Sequence, residues 1–160
     1  MVVRTFATEP IDEAELAALA ARLAPAVRHG GVIHLAGPLG AGKTAFARAL
    51  LQALGVRERI KSPTYSLIES YRVGDLAAHH LDLYRLADPE ELAWLGVSDL
   101  ADPAALMLVE WPERGAGALP SADLALELAY AGPRRTLSAV AHGPRGEALL
   151  QAAWRATPDT

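Results

Sequence analysis

The sequence predicts an α/β fold: a mainly parallel central sheet with some antiparallel strands. Three observations carry that expectation. A short apolar run, "VIHLA" at 32–36, feeds a glycine loop that opens a helical stretch. A continuous apolar run, "ALMLVE" at 105–110, ends on a carboxylate, as a buried parallel strand would. Alternating segments at 65–71, 78–84, 123–130 and 136–140 come in pairs separated by turn residues.

Taken in order, residues 13–29 carry Leu16, Leu19, Ala20, Leu23 and Val27 at helical spacing. Asp12 stands at the cap position and Gly30-Gly31 ends the helix. "VIHLA" is the first strand expected, and "TAFARALLQAL" after Lys43 is a helix stopped by Gly55. Ser62-Pro63-Thr64 is a loop, because Pro63 lacks a donor and steers Ser62 away from helix. "YSLIESY" and "AHHLDLY", joined across a Gly-Asp turn, form a hairpin. "DPEELAWLGV" at 88–97 reads as one helix, with Asp88 as cap and Pro89 at its first position. "DLALELAY" and "TLSAV" are two further strands around the turn "AGPRR", and 145–155 forms a closing helix.

Composition narrows the function. The 160 residues are expected to form one domain over 1–155, with 156–160 a flexible tail. Net charge is −4 with no basic block, so no nucleic-acid grip is advertised. Cysteine is absent, which excludes disulfides, Cys-ligated zinc and thiol nucleophiles. The N-terminus lacks an apolar signal segment and no run reaches membrane-spanning length; a cytoplasmic protein is expected. Of fifteen basic residues only Lys43 and Lys61 are lysines, and both fall in stretches that read as phosphate-facing.

Within "AGPLGAGKTAFARAL", Gly37, Gly40, Gly42, Lys43 and Thr44 fit G-x-x-x-x-G-K-[ST] without a gap. Such a loop surrounds phosphates with backbone N–H groups, sends a lysine to the β/γ oxygens and offers a hydroxyl to Mg²⁺. The strand before it and the helix after it are the context that the motif requires. The fold class becomes a three-layer sandwich of the P-loop nucleotide-binding kind. Backbone donors at Gly40, Ala41, Gly42 and Ala45, at the helix N-terminus, complete the cradle. Glu110 follows "LMLV" and stands where such sites hold the Mg²⁺-associated acid. Trp111 beside it reads on its own as core.

Alternation puts His80, Asp82 and Tyr84 on one strand face and His79, Leu81 and Leu83 on the other. Asp82 either positions water or a metal-bound water, or pairs with Arg85. The two histidines point apart, so they read as structural residues rather than a metal pair. Lys61, Ser62 and Thr64 occupy the place where P-loop proteins sense the γ-phosphate; an ordinary Ser-Pro turn is the alternative. Arg134 and Arg135, in the late turn, are candidates to reach nucleotide. The sequence has no asparagine, hence no N-K-x-D guanine reader, and no D-x-x-G. ATP is therefore favoured over GTP.

"GPLGAGKT", "KSPTYSLIESY", "HHLDLYRLADPEEL" followed by "LG", and "VEWPERG" followed by "LP" together resemble the TsaE family (formerly YjeE). That family is the ATPase of bacterial tRNA threonylcarbamoyladenosine synthesis. The resemblance spans about residues 10–145, and the SPTY, DLYRL and EWP elements are more specific than the phosphate loop. It implies ATP hydrolysis with Mg²⁺ in support of the TsaB–TsaD heterodimer, which transfers threonylcarbamoyl to N6 of adenosine 37. The activated intermediate comes from a separate enzyme, TsaC, and tRNA is met indirectly through the complex. Carried over by residue, Lys43 binds phosphate, Thr44 and Glu110 serve Mg²⁺, and Asp82 is the required aspartate. Thr64 lies in a switch-like loop, Trp111 lies beside the site, and Arg134 falls about where the family has a basic nucleotide contact. The catalytic set implied is Lys43, Asp82 and Glu110. Pro38 departs from the family's usual acidic residue and removes one N–H from the loop. A small-molecule kinase is the alternative reading, with Asp82 as base and Arg57 and Arg59 as lid.

Overall fold

The computed structural model describes residues 4–60 and 67–154. The expected switch-like loop, with Lys61, Ser62 and Thr64, lies outside the described residues, as does the C-terminal tail.

Among the described residues, seven strands form one sheet. They are β1 (Arg4–Ala7), β2 (Gly31–Ala36), β3 (Ile68–Val73), β4 (Leu76–Asp82), β5 (Leu106–Glu110), β6 (Leu124–Ala131) and β7 (Arg134–Ala141). Their order across the sheet is β1-β7-β6-β2-β5-β4-β3. The four central strands β6, β2, β5 and β4 are mutually parallel. β3 closes one side as the antiparallel hairpin partner of β4, and β7 and β1 close the other, also antiparallel. The helices are α1 (Glu13–Val27), α2 (Lys43–Leu54), α3 (Glu91–Trp94), α4 (Val97–Leu100) and α5 (Gly143–Trp154).

The layers follow from which faces are apolar. Leu16, Leu23, Phe46 and Leu50 of α1 and α2, with Leu149 of α5, bury one sheet face in a single cluster with Ile33, Leu106 and Leu126. A second cluster covers the opposite face of β4 and β5, where Leu92 and Val97 meet Leu81, Met107 and Val109. β5 is therefore enclosed on both sides, and all five of its residues are buried.

Local signals explain most boundaries. Asp12 accepts from the Glu15 N–H at 2.8 Å, and Glu15 returns a bond to the Asp12 N–H at 3.1 Å, a complete capping box. Gly55 ends α2 at φ 111°, a conformation that costs a residue with Cβ.

Three expectations change. The helix expected over 88–97 is two short turns, α3 and α4, separated by Gly96 at φ 74°. Asp88 and Pro89 fall ahead of α3, whose N-cap is Glu90 with no side-chain cap bond; the Asp88 carboxylate instead accepts from the Glu90 N–H at 2.9 Å in the preceding turn. Arg134 and Arg135 lie in β7, not in the turn, which shrinks to Gly132-Pro133. β1 was not foreseen; four residues before a Pro-containing stretch are too short to announce a strand, and its pairing comes from β7.

Two stability predictions follow from packing and burial. A Cβ at Gly146 of α5 would overlap the Asp123 carbonyl oxygen. Alanine gains about 1 kcal/mol of helix propensity there, but overpacking against backbone costs roughly 1–3 kcal/mol or more. Gly146→Ala should therefore lower the melting temperature, and an unchanged or raised value would contradict the packing. Burial also holds the His34 and His79 imidazoles below their ordinary 6.5. The unfolded chain takes up these protons first on acidification, so stability falls as pH drops through about 6.5. The urea midpoint should decline from pH 7 to 5.5, and less steeply in His79→Asn.

Candidate functional site

The glycine loop leaves β2 at the C-terminal edge of the sheet, where β5 continues on one side and β6 on the other. Strand order reverses around β2, which opens a crevice at the end of the strands. Gly37 lies so close to β6 that a Cβ would overlap the Leu128 carbonyl. Gly42 precedes α2 at φ 112° and carries no side chain to cap it. The first N–H groups of α2 thus stand at the crevice, with the positive end of the helix dipole.

Lys43 is 4% exposed. Its Nζ donates to the carbonyls of Gly37 at 2.7 Å and Pro38 at 2.8 Å. It also lies 4.3 Å from the centre of the Trp111 ring. Burial lowers the lysine pKa, opposed by the negative charges of Glu110, Asp82 and Glu113. Pro38, the residue that departs from the family pattern, keeps a working carbonyl: it accepts from Lys43 and from the Ala41 N–H at 3.2 Å. Ala41 is buried, and its N–H bond to the Pro38 carbonyl closes a turn within the loop.

Thr44 Oγ1 donates to Glu110, 2.8 Å from Oε1 and 3.0 Å from Oε2. Glu110 ends β5 and is 2% exposed. Its Oε2 also meets Nε2 of His80 at 2.6 Å. In register, Glu110 sits between Leu35 of β2 and Asp82 of β4. Burial raises the Asp82 pKa; the Tyr84 N–H, donating to Oδ1 at 3.1 Å, lowers it, and the charge of Glu110 raises it again. Two carboxylates and one ammonium thus share a partly dry edge.

Trp111 turns the chain out of β5 in the left-handed region, φ 59° and ψ 49°, into the 3₁₀ turn Pro112–Gly115. Pro112 disfavours the right-handed helical region at Trp111. The strained position, which costs roughly 1–2 kcal/mol, aims the indole over Lys43. Tyr84 packs against it with ring centroids 5.0 Å apart.

A cavity of about 540 Å³ opens here. Lys43, Thr44 and Glu110 line it together with Asp82, Trp111 and the loop residues Gly40, Gly42 and Ala45. Arg134 is not brought to it: its guanidinium is exposed and lies 3.6 Å from Glu15. Arg135, the next residue and therefore on the other strand face, lines the cavity instead. Sequence reasoning had no register with which to choose between them. Tyr84 and Leu39 also border the space; the alternation placed Tyr84 on the Asp82 face, but nothing in the sequence marked Leu39.

The donor set fits a magnesium nucleotide. A hydroxyl and a carboxylate are the hard oxygen ligands that Mg²⁺ prefers. The close approach at Gly37 and the left-handed Gly42 leave a backbone cradle that side chains would fill.

Comparison with known proteins places the chain in a family. The family model "Threonylcarbamoyl adenosine biosynthesis protein TsaE" matches residues 11–137. The tRNA threonylcarbamoyladenosine biosynthesis protein TsaE of Haemophilus influenzae is 40% identical over 121 residues, 76% of this chain and 77% of that one. Its Bacillus subtilis counterpart is 33% identical over 142 residues, 88% of this chain and 89% of that one. The crystal structure of Bacillus subtilis YdiB superposes with a TM-score of 0.80 at 29% identity, covering 97% of both chains. A P-loop fold with this crevice, matched over most of its length, belongs to the TsaE family of threonylcarbamoyl adenosine biosynthesis proteins.

Proposed function

We propose that this chain binds and hydrolyses Mg²⁺-ATP, and that the hydrolysis supports repeated threonylcarbamoyl transfer to tRNA adenosine 37 by a TsaB–TsaD complex in the cytoplasm. The observation that carries the ATPase half is the convergence of Lys43, Thr44, Asp82 and Glu110 on one crevice at the end of the central strands. Family membership carries the pathway half. Residues 1–155 act as one ATPase domain on this reading.

The residues divide the work. Lys43 pairs with β/γ-phosphate oxygens, leaving the loop carbonyls that it meets at 2.7 and 2.8 Å. The N–H groups at Gly40, Gly42, Thr44 and Ala45 receive the remaining phosphate oxygens. Thr44 and Glu110 hold Mg²⁺, which when bound neutralises charge on the β- and γ-phosphates. Asp82, held high in pKa by burial, orients the attacking water and accepts its proton. Trp111 excludes water above Lys43, and Arg135 supplies a second cation at the rim. Among the described residues no helix is long and apolar enough to cross a membrane, in keeping with a soluble partner.

Lys43→Ala removes a charge-assisted contact worth about 1.5–3 kcal/mol, so Mg²⁺-ATP affinity should fall roughly 10- to 150-fold. Calorimetric titration reads this; unchanged affinity would remove Lys43 from the site. Asp82→Asn should cut phosphate release about 100-fold or more while leaving ADP binding intact. The same variant should melt higher than wild type at pH 7 without nucleotide. A raised folded pKa means that stability is lost as pH rises from the unfolded value of 3.8 through the folded one, and asparagine escapes that loss. The gain should vanish near pH 4. Free phosphate as the product, rather than a phosphorylated metabolite, separates the ATPase from the kinase alternative.

A further inference from the structure

His80 lies one layer beneath the nucleotide crevice and is 0% exposed. Its Nε2 is 2.6 Å from Glu110 Oε2, while Nδ1 is buried with no hydrogen-bond partner in the described residues. A carboxylate only accepts, so Nε2 carries the hydrogen and donates it. The Thr44 hydroxyl donates to the same carboxylate from the crevice side. Glu110 is therefore gripped from two directions, by α2 in front and β4 behind. The histidine sits in β4, in register with Glu69 of β3 and Leu108 of β5, and is fully buried.

We infer that His80 is the positioning residue that presents the Glu110 carboxylate to Mg²⁺ in the nucleotide complex. The inference rests on the magnesium nucleotide reading above. Its chemistry is the outer-sphere logic of metal sites, in which a buried partner holds a carboxylate in one orientation before the ion arrives. Without the Nε2 donor, Glu110 would rotate toward whatever else can satisfy it, and the Thr44–Glu110 pair would open. Nucleotide binding through Lys43 and the loop does not depend on His80, since none of those contacts involves it. The expected signature is thus a loss confined to the magnesium-dependent part of affinity.

Two amides separate the positioning role from packing. His80→Gln puts an N–H donor close to the place of Nε2, whereas His80→Asn ends too short to reach Glu110. Dissociation constants for ADP are measured for wild type and both variants in Mg²⁺ and in EDTA, with thermal melting alongside. The inference expects His80→Asn to lose about tenfold or more of the Mg²⁺ enhancement, His80→Gln to keep most of it, and all three to bind ADP alike in EDTA. Equal enhancement in all three, or equal loss in Mg²⁺ and EDTA, would overturn it. A wild type that does not bind ADP under any condition would instead refute the nucleotide reading. In wild-type protein, imidazole ¹⁵N spectra give a test that needs no substitution: the His80 Nε2 signal should move when Mg²⁺ is added to the ADP complex. A signal that stays still would also overturn the inference.

Discussion

The structure turns on one buried carboxylate. Glu110 is 2% exposed at the end of a strand covered on both faces. Left unpaired, such a group costs about 1–3 kcal/mol and more if charged, a large share of a small domain's net stability. Here Thr44 and His80 satisfy it. Those two bonds join the N-terminus of α2, the end of β5 and the body of β4, three elements distant in sequence. The carboxylate that lines the crevice is therefore also a point where the fold is tied together.

The second constraint is backbone proximity. The loop after β2 passes against the Leu128 carbonyl at Gly37, a distance open only to glycine. That approach sets where α2 begins, and with it the direction of Lys43. The strained Trp111 then returns the chain over the lysine from the β5 side. A loop on one strand and a sharp exit from its neighbour enclose the same ammonium. Neither segment accomplishes this alone, and the strand order that makes them neighbours is a property of the whole sheet.

Much of this was legible in the chain. The phosphate loop, the cap at Asp12, the Gly55 stop and the strand ending at Glu110 each rest on local signals a few residues long. The β3–β4 hairpin announced itself by alternation around a Gly-Asp turn. What stayed hidden needed register or tertiary contact. The sequence could not say that Arg135 rather than Arg134 faces the crevice, because one residue of slip in β7 reverses the answer. It offered His80 as a structural histidine, since nothing local reveals that Glu110, thirty positions on, meets its Nε2 at 2.6 Å. The helix expected over 88–97 failed for a different reason. Its start falls at Glu91 rather than Pro89, and Gly96 at φ 74° divides the segment into two turns so that Leu92 and Val97 can both reach the second core cluster.

The resulting picture joins a P-loop crevice to a family of threonylcarbamoyl adenosine biosynthesis proteins. Its central claim is that nucleotide turnover in this crevice sustains that modification. The most direct measurement is a reconstituted reaction with limiting TsaB–TsaD, in which modified adenosine per complex is followed over many turnovers by nucleoside analysis. The protein is supplied as wild type, as Lys43→Ala, or left out. The account predicts repeated turnover with wild type alone, and a halt after the first round or two in the other reactions. Equal yields in all three would contradict it.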